Sequence, residues 1–427
     1  MKHYPYWWDT VAAESSVASR QSPVPPAKVD VAIVGAGYTG LSAARHLARA
    51  GASVAVLERE RVGWGASSRN GGQVLTGLKP DASTLVGRYG DTRARELYEE
   101  ETKAIARLES VIGTESIDCE YARVGHVQAA WKPAHFAAFR REQALLARVF
   151  DHRVHLVDRA NQKTEIGSGR YHGLLVDENS ASLNPARYVQ GLAGAARRAG
   201  ATIVECAGVD RIARTGTRWS LSSNQGPIDA GDVLLATNGY TNGAAPALRR
   251  RLIPVGSYII ATAPLAAEVA SSLLPRGRVA FDSKNFLYYF RVTSERRLLF
   301  GGRAAFSTPD AQATARAAAI LRHGMTDVFP QVSGAVVDYA WSGNVAFTRD
   351  ELPRAGRLDG IYFAGGYCGH GIAMATYLGE QIARRIAGEP IVDPLFDDHF
   401  AAIPMYSGTP WFLPLVGAYY QVKDWLQ

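Results

Sequence analysis

Gly35, Gly37 and Gly40 stand in the spacing G-x-G-x-x-G, within the stretch VAIVGAGYTG at residues 31–40. An apolar run breaks into a glycine turn and then opens a helix. The first glycine permits the tight turn, the second lets backbone approach a pyrophosphate, and the third lets helix and strand pack closely. The helix, read from about Thr39 to Ala50, aims its unpaired N–H groups and positive dipole end at phosphates. The run ASVAVLE follows and ends at Glu58. An acid about 20 residues beyond the glycines accepts hydrogen bonds from ribose hydroxyls. Its charge repels a 2′-phosphate, which disfavours NADP. Strand, turn, helix, strand and acid in this order favour dinucleotide binding over a plain glycine turn in an α/β domain. The chain has one such motif, so a second dinucleotide such as NAD is not indicated.

Other segments must position that unit. Residues 1–28 read as an irregular lead-in, aromatic and then proline-rich, with PVPPA at 23–27 as a linker signal. The run GWGASSRNGGQV at 63–74 is too rich in glycine for a regular element and lies where a loop returns over a bound nucleotide. Amphipathic covering helices are predicted near 92–112 and 133–150. Asn184 as N-cap, Pro185 in the first turn and Gly200 at the end predict a further helix, followed by the strand ATIVE. DVLLATNGY at 232–240 reads as a buried strand ending in a small-residue turn, and GIYFAGGYCGHGI at 360–372 as strand, glycine turn and helix start. Between them, residues 255–306 alternate apolar and polar and predict an antiparallel sheet. No period of 20–50 residues repeats. Pieces of a nucleotide fold thus recur near the start, middle and end. One nucleotide domain (29–85, 183–252 and 338–427) interrupted by a second (86–182 and 253–337) accounts for this better than tandem domains.

A chain of 427 residues, 47% hydrophobic and 20% charged, is an ordinary globular composition with core enough for two or three domains. The net charge is +7, and the densest like-charge run is RRR at 249–251. A diffuse excess of this kind does not indicate nucleic acid, but it favours anionic substrates over cationic ones. Cys119, Cys206 and Cys368 are far apart with no C-x-x-C pair. This suits a reducing cytoplasm and points to neither a disulfide framework nor a zinc site. His152 and His155 have no acidic or cysteine company in sequence and read as surface residues. The opening MKHYPYWWDT lacks the apolar core of a secretion signal. The most apolar stretches, 252–267 and 411–420, are interrupted by Pro, Gly or Ser and fall short of the roughly 18–20 residues of a membrane span. The expected location is cytoplasmic.

The G-x-G-x-x-G with Glu58, then GASSRNGGQ, LLATNGYT and FAGGYCGHGIA, together resemble the amine-oxidising FAD flavoproteins of the D-amino-acid and sarcosine oxidase superfamily. The gamma-glutamylputrescine oxidase group is the most similar branch, through SRNGGQ, NFLYYFR, RLLFGG, W-S-GN, GYCGHG and the tail GAYYQVKDWL. The resemblance implies an α/β fold: a Rossmann-like FAD-binding domain of the glutathione-reductase type, interleaved with an α+β substrate domain whose antiparallel sheet roofs the flavin. It implies FAD contacts at Gly35, Gly37, Tyr38, Thr39, Gly40, Glu58 and Arg59. Ala66, Ser67, Asn70, Gly71, Gly72 and Gln73 would wrap the pyrophosphate and reach the isoalloxazine edge. Val209 would meet adenine, Asn238 and Gly239 would end a strand at the crevice, and Gly366, Gly369, His370, Gly371 and Ile372 would open the last helix toward the flavin. N–H groups there would stabilise negative charge arriving on the ring. Asn238 as a turn residue and Gly365–Gly366 as a packing device are the structural readings.

The activity implied is oxidation of the C–N bond of a small amine (a gamma-glutamyl amine, a secondary amine or an amino acid). Hydride would pass to FAD, the imine would hydrolyse, and O2 would take the electrons to give hydrogen peroxide. Two rivals are a dehydrogenase of the same fold serving a carrier or quinone, and a non-catalytic FAD-binding redox module. Candidate pocket residues are Tyr258, Tyr289, Arg291, Arg303, Trp341 and His370. The tyrosines and Trp341 serve equally well as core, and His370 equally well as a structural residue. Arg291 or Arg303 would anchor an anionic group of the substrate, through the two parallel hydrogen bonds a guanidinium offers; both serve nearly as well as surface or structural ion-pair residues, and Arg291, opposite Phe290, could face flavin or water. The chain also departs from sarcosine oxidases. Ala373 stands where they carry a carboxylate-gripping lysine, Leu299 where they carry an oxygen-promoting lysine, and no Cys lies near Asn344–Ala346, where theirs holds flavin covalently. FAD is therefore expected to be noncovalent, and Cys368 to be a packing residue.

Overall fold

The computed structural model describes residues 1–11, 23–302 and 310–426. In chain order the elements are β1 (Lys28–Val34), α1 (Tyr38–Arg49), β2 (Val54–Leu57), β3 (Gln73–Val74), α2 (Ala82–Glu115), β4 (His126–Ala129), α3 (Pro133–Phe150), β5 (His155–Asp158), β6 (Gly173–Asp177), β7 (Ala181–Ser182), α4 (Pro185–Arg198), β8 (Thr202–Val204), β9 (Val209–Thr215), β10 (Arg218–Ser223) and β11 (Gly226–Leu235). They continue with α5 (Pro246–Arg249), β12 (Ile253–Thr262), α6 (Ala267–Leu273), β13 (Val279–Asp282), β14 (Tyr288–Val292), β15 (Leu298–Gly302), α7 (Ala311–Val328), β16 (Val337–Phe347), β17 (Arg354–Leu358), β18 (Ile361–Gly365), α8 (Gly371–Ile386) and α9 (Leu413–Leu426).

The first sheet runs β17-β18-β11-β1-β2-β8, with β9 and β10 paired off β11. Its centre is parallel, because β1 feeds β2 through the α1 crossover and β11 and β18 arrive from distant parts of the chain. Such strands are covered on both faces and so are near-continuously apolar, as in VAIV of β1. Leu41 and Leu47 of α1 are buried against this sheet, each contributing about 1.5–3 kcal/mol. One core cluster joins α1, α2, α4 and α8. At α4, Asn184 caps the helix through its side-chain oxygen, which accepts from Arg187 N, and Pro185 takes the first turn.

The second sheet runs β16-β12-β15-β14-β13-β4-β6-β5 and is antiparallel except where β13 pairs with β4. Its outer face packs on α7 through Phe290, Phe300, Leu321 and Met325. The inner face turns toward the first sheet. The boundary anticipated at residue 338 falls inside β16, which belongs wholly to the second sheet through its long pairing with β12. The boundary at residue 86 cuts α2, whose Leu85, Leu97 and Leu108 join the core beside α1 and α8.

The lead-in also departs from an irregular linker. Residues Tyr6–Thr10 form a 3-10 turn with Tyr6 and Trp7 buried. They pack on Ile259, Leu299 and Trp341 at the inner face of the second sheet. His152 is not a free surface residue either: its Nε2 lies 2.5 Å from Asp177 Oδ2. No described helix is long and apolar enough to cross a membrane, and no described group of His, Cys, Asp and Glu could hold a metal ion.

Candidate active site

A cavity of about 560 Å³ is lined by residues of both sheets. Gly35, Gly37, Tyr38, Thr39, Glu58, Arg59, Ala66, Ser67, Asn70, Gly71, Gln73, Val209, Asn238, Tyr289, Gly369, His370, Gly371 and Ile372 all line it. Segments separated by more than three hundred residues in sequence therefore converge here.

At one end the glycine turn is shaped for a close approach of backbone. A Cβ on Gly37 would stand 2.9 Å from Ser67 Oγ, the hydroxyl that accepts from Tyr38 N. Gly40 does not line the cavity. A Cβ there would overlap the carbonyl oxygen of Gly35, so its role is to let α1 sit against the turn. The Glu58 carboxylate accepts from Ala36 N at 2.8 Å and Glu60 N at 3.0 Å, which fixes it beside the turn. Burial pushes its pKa up and those two N–H groups pull against the shift. Thr39 Oγ1 and the Tyr367 hydroxyl, 2.6 Å apart, join the start of α1 to the last turn. Neither Gly37 nor His370, the N-caps of α1 and α8, caps its helix with a side chain. Both helix starts border the cavity and leave backbone donors for a ligand.

Of the other predicted positions Asn238 lines the cavity, whereas Gly72, Gly239 and Gly366 do not and stand behind its wall. Asn238 has φ +43 in the turn after β11, and its Oδ1 accepts from Gly366 N at 2.9 Å. Gly239 O accepts from Asn344 Nδ2 at 3.1 Å. Gly72 O accepts both Leu183 N and Arg291 Nη1.

The second sheet sorts the candidate pocket residues by its two-residue period. Ser257 faces the cavity, whereas Tyr258, one position on, is buried in the opposite core with Phe290 and Phe300. Tyr289 faces the cavity, its hydroxyl 3.1 Å from Ser257 Oγ. Arg291 shares that strand face but does not line the cavity. Its Nη1 donates to Gly72 O at 2.9 Å and Leu183 O at 2.8 Å, and burial pushes its pKa down to about 10. It braces the 70–73 loop and does not face a substrate. Trp341 likewise donates through Nε1 to Arg69 O at 2.9 Å, from within the cluster around Trp7 and Leu299. Arg303 lies outside the described residues.

His370 lines the cavity with its Nδ1 buried and, among the described residues, without a hydrogen-bond partner. Burial, aided by the Lys79 charge, pushes its pKa down to about 3, so the ring is neutral at ordinary pH. Beside it the Cys368 thiol is buried, donates to Gly366 O at 3.1 Å, and is pushed up to about 12. Ala373 is packed in the first core and not open to the cavity.

Some site residues went unread in the sequence. Trp7 Nε1 donates to Asn70 O at 2.8 Å and Trp8 Nε1 to Ser68 Oγ at 2.7 Å, so the lead-in clamps the glycine loop from outside. The density of aromatics in YPYWW was the available signal. Lys79, just after that loop, also lines the cavity; a lone lysine carries no signal in sequence.

Residues 30–385 match the family described as DAO, FAD dependent oxidoreductase. The chain belongs to that family. It is 33% identical over 403 residues to gamma-glutamylputrescine oxidoreductase of Escherichia coli (strain K12), covering 92% of each chain. It is 34% identical over 367 residues to the probable oxidoreductase OrdL of Haemophilus influenzae, covering 84% of this chain and 83% of that one. In fold it is similar to glycine oxidase from Geobacillus kaustophilus, with a TM-score of 0.75 at 20% identity over 89% of this chain and 99% of that one. The protein is thus an FAD-dependent oxidoreductase with the mixed α/β fold of the family. The glycine turn, Glu58 and two helix starts open to a ligand fit that cofactor.

Noncovalent attachment remains the expectation: the wall at Asn344, Val345 and Ala346 lines the cavity and offers no thiol. The described wall holds one thiol, Cys368, kept protonated by burial. Acid precipitation is expected to release all yellow colour into the supernatant. Flavin retained in the pellet would contradict it.

Proposed function

We propose that the protein oxidises the C–N bond of a small amine: a gamma-glutamyl amine, a secondary amine or an amino acid. The observation that supports this most is the chamber at the second-sheet end of the cavity. Phe281, Leu287, Tyr289 and Val255 wall it from one side, and the Tyr367–Ile372 turn from the other. Held by the glycine turn, Glu58 and the starts of α1 and α8, FAD would supply a hydride acceptor whose electrons O2 would take, giving hydrogen peroxide.

The chain's own residues supply position, dryness and fixed dipoles. The aromatic and aliphatic wall excludes water and holds the amine, which reacts in its neutral form. Neutral His370 accepts or donates a hydrogen bond there without placing a charge in the chamber. The start of α8 directs N–H groups at negative charge that develops as the substrate is oxidised. Water then converts the imine to a carbonyl compound and releases the smaller amine. The relationship to gamma-glutamylputrescine oxidoreductase favours gamma-glutamyl amines within this class.

The test is stoichiometric. Holoprotein incubated in air with a substrate amine should yield one carbonyl product and one peroxide per amine consumed. No carbonyl product from any amine class would overturn the reading. Carbonyl product without peroxide, restored by an artificial electron acceptor, would favour a dehydrogenase instead. Leu299 supports that second reading, because it fills with an apolar side chain the position where the resemblance calls for an oxygen-promoting lysine.

Sarcosine is expected to be a poor substrate, since Ala373 packs into the core and offers no cation. Peroxide release on sarcosine as fast as on the best amine of a panel would contradict this.

A further inference from the structure

Half of the large apolar side chains exposed among the described residues fall within residues 405–422. Met405, Trp411, Leu415, Tyr419 and Val422 are between 55% and 91% exposed, and no charged residue occurs from Phe400 to Val422. Single exposed apolar side chains are ordinary, but a concentration of them on one element is not. The segment is fixed to the protein along its other side. Ile403 N donates to Arg250 O at 3.0 Å, and the Tyr406 hydroxyl donates to Leu252 O at 3.0 Å. The Phe412 ring lies 5.8 Å from that of Tyr406, and Leu413 and Gly417 of α9 are buried. Leu415, Tyr419 and Val422 stand at i, i+4 and i+7, on the face of α9 turned away from Leu413 and Gly417.

Basic charge predominates at the root of this segment. Arg249–Arg251 is the densest like-charge run of the chain. A Cβ on Gly408 would meet the Arg249 side chain, which therefore lies against the segment just before Trp411. Arg250 is exposed, and Arg251 donates to Phe400 O and Ala247 O. The acids felt at Arg251 are Asp359 and Asp397. Asp397 and Asp398, just before the segment, are paired with Arg354 and Arg385.

These charges argue against a second copy of the chain as the occupant. A two-fold contact sets like faces together and so brings the two arginine runs toward each other. Five large side chains also fall short of the roughly 20–30 residues that each side of a stable interface uses. A lipid surface has neither requirement. Its headgroup zone accepts Trp and Tyr rings, its acyl edge takes Leu and Val, and its anionic headgroups attract arginine.

We propose that the outer face of α9, together with Trp411, docks on an anionic lipid surface, with Arg249 and Arg250 meeting the headgroup phosphates. The helix has 14 residues, so it lies in the plane of the headgroups and does not cross.

The experiment is co-sedimentation of the full holoprotein chain with vesicles of phosphatidylcholine alone, or of phosphatidylcholine and phosphatidylglycerol in equal parts, at low and high salt. At low salt wild type should bind the mixed vesicles about tenfold or more tightly than phosphatidylcholine alone. Leu415→Ser with Tyr419→Ser in one chain should weaken binding by roughly tenfold or more, with flavin content unchanged. Arg249→Gln with Arg250→Gln should weaken it by about fivefold per charge removed, a difference that high salt erases. Arg250→Gln alone, at an exposed site, reads the charge without disturbing the packing on Gly408. No binding of wild type to either vesicle, or binding that the Leu415→Ser, Tyr419→Ser pair leaves intact, would overturn the proposal. So would a concentration-dependent dimer, formed without vesicles, that the same pair of changes dissociates; the face would then be an interface between copies of this chain.

Discussion

Gly40→Ala should cripple FAD binding. A Cβ at this position would run into the Gly35 carbonyl oxygen, with the Ile33 side chain close behind. A backbone oxygen cannot swing aside as a flexible side chain does, so α1 must move off the glycine turn. Overpacking of this kind costs about 1–3 kcal/mol, and here the strain falls on the turn that meets the pyrophosphate. FAD affinity should drop by roughly tenfold or more, in line with that range. Gly87→Ala is the matched control. Gly87 is exposed in α2, and a Cβ there meets nothing within 4 Å. That change should leave FAD affinity alone and raise stability by up to about 1 kcal/mol through helix propensity. Titrating both apoproteins with FAD decides the matter; parental affinity in Gly40→Ala would remove the packing argument.

Glu58→Ala should weaken FAD binding by roughly tenfold to a hundredfold, the worth of a charge-assisted hydrogen bond of about 1.5–3 kcal/mol. The carboxylate has two tasks: it orients toward the nucleotide end, and it accepts Ala36 N and Glu60 N, which hold the turn. Glu58→Gln keeps one amide oxygen for those donors and should retain more affinity than alanine. Burial raises the Glu58 pKa. FAD affinity should therefore begin to fall, on acidification, at a higher pH than an ordinary carboxylate would give. Unchanged affinity in Glu58→Ala would refute the ribose assignment.

The nucleotide half was legible because its determinants are local. G-x-G-x-x-G, Glu58 and the Asn184–Pro185 helix start each follow from neighbours a few residues away, and the structure forms them from β1, α1, β2 and α4. The substrate end was less so, because a strand's two-residue period yields two faces without saying which is inner. Tyr258 and Tyr289 looked alike in sequence; pairing with Gly302 and Gly301 respectively put one in the outer core and the other at the cavity. Alternation puts Arg291 opposite Phe290 but leaves its face open, and its destination depends on the carbonyls of Gly72 and Leu183, far away in the chain. The roles of Trp7, Trp8 and Lys79 depend on tertiary contacts of the same kind.

The central claim, oxidation of an amine by this site, is tested most directly by rapid anaerobic mixing of holoprotein with each amine of the panel and with its counterpart deuterated at the carbon beside nitrogen. The account predicts that at least one amine bleaches the flavin in a single turnover, that deuterium slows the bleaching, and that one equivalent of carbonyl compound appears. Flavin that dithionite reduces normally but that no amine bleaches would contradict it.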